Sequence, residues 1–327
     1  MSRMKQEVRR IGVKRPGMNG VVKRVNHDEG VASVVALMLL LAVIVTFLSL
    51  YATTYLPALK QQAEIGQISS VKEAFMRFDN DMEHILSEKK DASYGEMIPL
   101  GGGDILLSPE KTSGTLSVGE PELLFTITDN TESSGYSIVN VRYGTSFSYW
   151  EEQGYSWQHG YLNVTKGQRS TPLSYFTMED MNSSMGRMNG GTGYAGSFLE
   201  ISGTPNTTAG YLGGLDVTAV TIGPGERTEA SGNGACVLRV RSNITTETRE
   251  ISSFEVSFPE HSSAGSFVTP LTGKTKTSLS GIADQFNGDG GDDPVTYDSS
   301  QNRLDFISED HPVTLVLHRI EITVSVQ

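Results

Sequence analysis

The sequence predicts an α+β protein: a long N-terminal transmembrane helix followed by a large, mainly antiparallel β ectodomain of sandwich-like build. Three observations carry this expectation. Val31–Leu56 is an uninterrupted run of 26 residues without a charge. The stretch after it steps its apolar residues by three and four, the spacing of one helix face. From about residue 100 onward, short apolar/polar alternations stand between Gly, Asn, Ser and Pro turns, the pattern of half-buried strands. The composition agrees. Of 327 residues, 37% are apolar and 8% aromatic, enough for a core. Thirty-five Gly and 12 Pro favour a loop-rich β protein over a helical one. The single cysteine, Cys236, excludes an internal disulfide framework and any zinc site built on several thiolates.

The chain divides by charge. Residues 1–30 hold eight basic and three acidic residues, net +5; residues 31–327 hold the rest, net −17. A nucleic-acid partner is therefore not expected, because the part that would fold is strongly negative. The expected organisation is a basic cytoplasmic leader (1–30), a membrane helix (31–56), an amphipathic helix continuing after Pro57 (57–92) and an extracellular β domain (97–327).

As a helix, Val31–Leu56 would be about 39 Å long, more than the ~30 Å of a bilayer's hydrocarbon core. Its Ser and Thr hydroxyls can bond back to helix carbonyls. Tyr51 and Tyr55 stand near its far end, where interfacial aromatics belong. The Lys and Arg excess before Val31 belongs on the cytoplasmic side, so residues 57–327 are expected outside. A cleaved secretory signal would have a shorter apolar stretch and a small-residue cleavage site, and YLPALKQQAEIGQ supplies none.

The junction reads KRVNHDEG and then VASVVALMLLLAVIVTF: a basic, polar leader ending in Gly30 directly before the apolar run. This resembles the class III signal of archaeal type IV pilins and related pilin-like proteins. The resemblance covers roughly residues 20–60. It implies a membrane prepilin peptidase that cuts between Gly30 and Val31, leaving the apolar helix on the mature chain. It also implies pilus assembly machinery as a partner, and packing of that helix against other copies or other pilin subunits. Where many bacterial pilins carry Glu at the fifth mature position this chain has Val35, which archaeal relatives also tolerate. The stretch 143–168, with Tyr149, Trp150, Glu151, Gln153, Tyr155, Trp157, Gly160 and Gln168, is similar to a pattern of archaeal pilin-like ectodomains. From the residues alone it reads as a hairpin with an aromatic cluster, or as an aromatic platform for sugars.

Pro57 should kink or interrupt the helix. Beyond it, Ile68, Val71, Phe75, Phe78, Met82 and Ile85 form a stripe with Lys72, Glu73, Arg77, Asp79 and Glu83 on the other faces. The stripe can pack on the chain's own β domain, on neighbouring subunits, or on both. Strands are expected at 122–129, 136–144, 161–166, 197–202, 215–223, 236–242, 249–258 and 318–327, forming one large sandwich or two packed sheets. In the last of these, Ile320, Ile322, Val324 and Val326 should share one face. No second strong helix pattern stands out, although 174–185 could hold a short one. MGRMNGGTGYAG (185–196) and SGNG (231–234) read as long surface loops.

Enzyme chemistry is not expected. GTGYAG at 191–196 fits G-x-G-x-x-G but follows no strand and opens no amphipathic helix, so it lacks the scaffold that cradles a phosphate. No nucleophile-elbow, zinc-protease or Walker pattern occurs. The six His are scattered. No cofactor is implied. Asp284, Asn287, Asp289, Asp292 and Asp293 offer oxygen ligands in a Gly-rich loop, a calcium candidate whose other reading is a solvated acidic turn. Sequons at Asn163, Asn182, Asn206 and Asn243 are glycosylation candidates, all in the outward part. Cys236 reads as a small buried apolar residue.

The function these features imply is structural: a subunit, major or minor, of an archaeal type IV pilus-like surface filament with an adhesive or surface-covering β domain. The alternative is an uncleaved single-pass membrane protein with a cell-envelope or carbohydrate-binding ectodomain.

Overall fold

The computed structural model describes residues 27–102, 111–173, 196–206, 211–259, 265–286, 295–306 and 313–327. The chain forms two compact units, one ending at Tyr55 and the other spanning Leu56–Gln327.

The described part of the first unit, from His27, is helical. Helix α1 spans His27–Leu50 and is followed by a π-helical turn, Tyr51–Tyr55. Leu, Ala and Met favour helix, and the hydroxyls are absorbed locally. Thr46 Oγ1 donates to Ala42 O at 2.7 Å, and Thr53 Oγ1 to Ser49 O at 2.8 Å. The interruption expected at Pro57 appears one turn earlier. Proline has no N–H to give that turn, and its ring crowds the carbonyl four residues back, so the wider π-helical winding falls at Tyr51–Tyr55.

The second unit opens with helix α2 (Leu56–Glu88). Lys89 ends it in the left-handed region, φ 49°, with its N–H bonded to Ile85 O at 2.9 Å. All six expected stripe residues are buried, along with Ala74 and Leu86. They pack on the β domain of the same chain.

The strands fall into three sheets. The first has the order β1 (Ala92–Pro99), β12 (Ala235–Ile251), β16 (Val313–Val326), β10 (Leu212–Pro224), β9 (Leu199–Pro205). The second runs β11 (Glu229–Gly232), β2 (Ser113–Val118), β5 (Val141–Ser146), β6 (Gln153–Gln158), β7 (Tyr161–Lys166), β8 (Arg169–Pro172). The third runs β14 (Val295–Asp298), β15 (Arg303–Phe306), β13 (Ser253–Ser257), β3 (Glu122–Asp129), β4 (Ser133–Ile138). Among these pairings only β10 with β16 is parallel. This is one sheet more than two packed layers.

The long central strands explain the extra layer. On β16, Ile320, Ile322, Val324 and Val326 are buried on one face, as their alternation requires. Upstream, Val313, Leu315 and Leu317 are buried on the other face. The switch falls at His318–Arg319, and β10 makes the same switch between Ala219 and Val220. One twisted sheet thus buries opposite faces along its two halves, against different neighbours.

Helix α3 (Gly265–Phe286) was not expected, and it packs on β9, β14 and β15. Its Gly, Ser and Thr content and Pro270 give weak helix propensity. Its buried stripe, Val268, Leu271, Thr275, Leu279, Ile282 and Phe286, is regular once Thr275 is counted as apolar. Thr275 takes that place by donating its hydroxyl to Leu271 O at 2.9 Å.

The expected strands 122–129 and 161–166 coincide with β3 and β7. The expected strand 136–144 is instead two strands, β4 and β5, in different sheets. The stretch 231–234 is not a long loop: Ser231 and Gly232 close β11, with Gly232 at φ 149°, and Asn233 and Gly234 alone link it to β12. The candidate helix 174–185 and the Gly-rich stretch up to residue 195 lie outside the described residues.

Candidate functional site

The first candidate is the surface of α1. Every described side chain from Ala32 to Leu50 is exposed, with the large apolar ones 48–71% accessible. The helix is long and apolar enough to cross a membrane. Gly30 and Val31, the expected processing pair, are both helical in backbone, in the second turn of α1. The basic leader before His27 lies outside the described residues.

The second candidate is the seat of α2. Its aromatic residues interlock with the second sheet. Phe78 meets Trp157 edge-on at 5.5 Å and 86°, and Phe75 lies 6.0 Å from Tyr155 and 6.4 Å from Tyr143. Tyr155 and Trp157 are therefore core residues and cannot serve as a sugar platform. Only Tyr149 and Trp150 of that aromatic group reach the surface.

Polar contacts fix the rotation of α2. Glu64 is 1% exposed, and its carboxylate accepts from the backbone N–H groups of Ser148 and Tyr149, both at 3.1 Å. Those two donors let a carboxylate stay buried. Lys60 Nζ lies 5.0 Å from the centre of the Tyr149 ring. Gln67 Nε2 donates to the Tyr143 hydroxyl at 3.0 Å, and Gln67 Oε1 accepts from Thr112 Oγ1 at 2.7 Å. The Tyr143 hydroxyl donates to Pro99 O at 3.0 Å, and burial pushes its pKa up to about 12. None of these contacts was expected from sequence. The signal was present, because stepping back by fours from Ile68 gives Glu64 and then Lys60.

Asp79 has a consequence for stability. Its Oδ1 accepts from Trp157 Nε1 at 2.8 Å. Burial pushes its pKa up to about 6, against the opposing Trp157 bond, and the Glu83 charge adds to the rise. A carboxylate raised in the folded state binds more protons there than in the unfolded chain. The stability that Asp79 contributes through its protonated form is therefore full below pH 3.8 and is lost as pH rises through about 6. Asp79→Asn keeps an acceptor for Trp157 without the charge. It is expected to stabilise the protein by about 2 kcal/mol at pH 7.5, with the gain vanishing near pH 4. Thermal unfolding of both proteins at the two pH values checks this; an equal difference at both would remove the argument.

A charged cluster fastens the third sheet to the first. The Asp129 side chain is fully buried, and Arg249 Nη2 stands 2.7 Å from its Oδ2, an ion pair whose angle lies outside hydrogen-bond geometry. Arg249 Nη1 bonds Glu132 at 3.0 Å and approaches Glu247 at 3.5 Å. Arg319 Nη2 donates to Ser134 Oγ at 3.0 Å.

The remaining candidates are not brought together. Asn243 is exposed on β12, one residue past the end of its pairing with β1. Asn163 is half-buried on β7; Asn206 is half-buried, and its Nδ2 donates to the Tyr211 hydroxyl at 3.3 Å. Asn182 lies outside the described residues. Of the calcium candidates, Asp284 is exposed on α3, and Asn287, Asp289, Asp292 and Asp293 lie outside the described residues. Among the described residues, no three His, Cys, Asp or Glu side chains are grouped to hold a metal. Cys236 is buried, which pushes its thiol up to about 11 and away from reactivity.

No protein-family model, curated protein or solved structure matches the chain. The features above define a class: a β-rich protein with an N-terminal helix able to span a membrane.

Proposed function

We propose that the chain is the precursor of a type IV pilus-like surface subunit of archaeal type, major or minor. In this reading a prepilin peptidase removes residues 1–30. Helices beginning at Val31 then pack together as the filament core, and the β domain faces outward as an adhesive or covering surface. The role is structural, without catalysis. The observation that carries the proposal is the run of exposed apolar side chains along α1, Ala32–Leu50. Apolar surface buried from water stabilises by about 25 cal/mol per Å², so this helix requires lipid or other helices around it. The polar leader ending at Gly30 and the positive charge before it support cleavage and a cytoplasmic N-terminus. The sequon at exposed Asn243 is compatible with glycosylation of an outward domain.

The test is the mature N-terminus, read by intact mass and N-terminal sequencing of native protein. The expected start is Val31, and Gly30→Arg is expected to leave the leader attached. A native protein beginning at Met1 would replace this reading with the uncleaved single-pass alternative.

A further inference from the structure

We infer that the open end of the first sheet carries a binding cleft for a neutral, hydroxyl-rich ligand of sugar type. The inference does not depend on cleavage or filament assembly. The cleft is a concavity of about 390 Å³, within the size range of small-molecule sites. Thr204, Asn206, Gly214, Asp216, Thr314 and Val316 are among the residues that line it.

Register explains the concavity. Gly214 on β10 pairs with Thr204 on β9 and with Thr314 on β16, so one cross-strand row reads Thr–Gly–Thr. Without a side chain at its middle, the row is a notch between two hydroxyl-bearing residues. A bulge between Leu212 and Gly214 shapes the strand here, and a Cβ at 214 would stand 2.6 Å from Thr204 Oγ1. The next row places Asp216 beside Val316. These positions fall on the half of the sheet where this face is left outward, because upstream of the switch β16 buries Val313, Leu315 and Leu317 on the opposite face.

The chemistry selects the ligand class. Asp216 supplies a carboxylate that can accept from two adjacent hydroxyls, which is how a vicinal diol is recognised. His318 stands in the following row, with its Nε2 3.7 Å from Asp216 Oδ1, beyond hydrogen-bond distance, and its Nδ1 2.9 Å from Thr246 Oγ1. Thr204 can donate and accept; Thr314 gives its proton to Glu250 Oε1 at 3.1 Å and offers a ligand an acceptor, and Val316 offers a small apolar patch for the C–H face of a ring. Among the described residues the lining holds a carboxylate and no Lys or Arg, which disfavours an anion. Asp216 is the one carboxylate among the described lining residues, fewer than the several oxygen ligands a hard cation takes.

The experiment uses the full chain in a detergent without a sugar headgroup. Saturation-transfer NMR and calorimetry are run with glucose, galactose, mannose, N-acetylglucosamine and their β-linked disaccharides. At least one is expected to bind at millimolar concentration or below. Loss of a charged hydrogen bond is expected to weaken binding about tenfold or more in Asp216→Asn. Thr204→Val, which removes one hydroxyl of the notch, is expected to weaken it severalfold. Thr323→Val, exposed farther along β16, is the control and should bind as wild type. Unchanged near-UV circular dichroism confirms that each variant is folded. If no sugar of the panel binds, or if both cleft variants bind as tightly as wild type, the inference is overturned.

Discussion

Replacing Arg249 by Ala is expected to destabilise the β domain by about 3 kcal/mol, the low end for breaking a buried ion pair. In a domain of this size that lowers the melting temperature by roughly 6–10 °C. The reason is what remains. The Asp129 side chain is 0% exposed and keeps only its turn bonds from the N–H groups of Thr131 at 2.7 Å and Glu132 at 2.8 Å. Glu132 and Glu247, which now flank the guanidinium, would face each other with less positive charge between them. Arg319, 3.7 Å from Glu132, compensates only in part. Arg303→Ala is the comparison. Its pair with Asp305 is 42% and 37% exposed, and such pairs contribute under about 1 kcal/mol. Thermal unfolding of the full chain in detergent, followed by near-UV circular dichroism, separates the two. Equal melting temperatures for the two variants would show that the cluster does not tie the sheets together.

The second large effect concerns α1. Ala36→Leu or Ala42→Leu is expected to abolish filaments while membrane insertion and leader removal persist. Both substitutions remain apolar, so the helix stays long enough to span a bilayer. What changes is close approach, since small residues let helix backbones near one another and a bulky side chain pushes them apart. A lone anchor in lipid would be indifferent to either. Leu41→Lys is the contrasting variant, expected to harm insertion itself by placing a charge at membrane depth. Electron microscopy of sheared surface material, beside an immunoblot of membranes, reads both properties. Filaments unchanged by both Ala→Leu substitutions would remove helix packing from the proposal. A wild-type protein never found in sheared material would favour the single-pass anchor.

Asp79 is the opposite case from Arg249, a half-buried charge whose removal helps. Trp157 satisfies one carboxylate oxygen, but among the described residues no cation neutralises the group as Arg249 does Asp129. The same residue type thus fastens the fold at one position and weakens it at the other, and the difference lies in partners far away in sequence.

The sequence by itself determined what depends on neighbours along the chain. The uncharged length of α1, the charge step before it, the α2 stripe from Ile68 to Ile85 and the alternation of Ile320–Val326 are all local patterns. Helix and strand periodicities project them directly onto one face. The structure placed each of these apolar sets as expected, exposed along α1 and buried along α2 and β16. Only the tertiary structure decided which polar residues share the buried face. Glu64 needs the N–H groups of Ser148 and Tyr149, and Asp129 needs Arg249, partners 84 to 120 positions away. It also decided that β10 and β16 exchange buried faces midway, because burial is set by which layer lies over each half of the strand. Thr275 passes as core within α3 only because its hydroxyl bonds to its own helix. The cleft is the clearest instance. Thr204, Gly214 and Thr314 mean nothing in sequence, and become one row when a parallel pairing brings residues 100 positions apart into register.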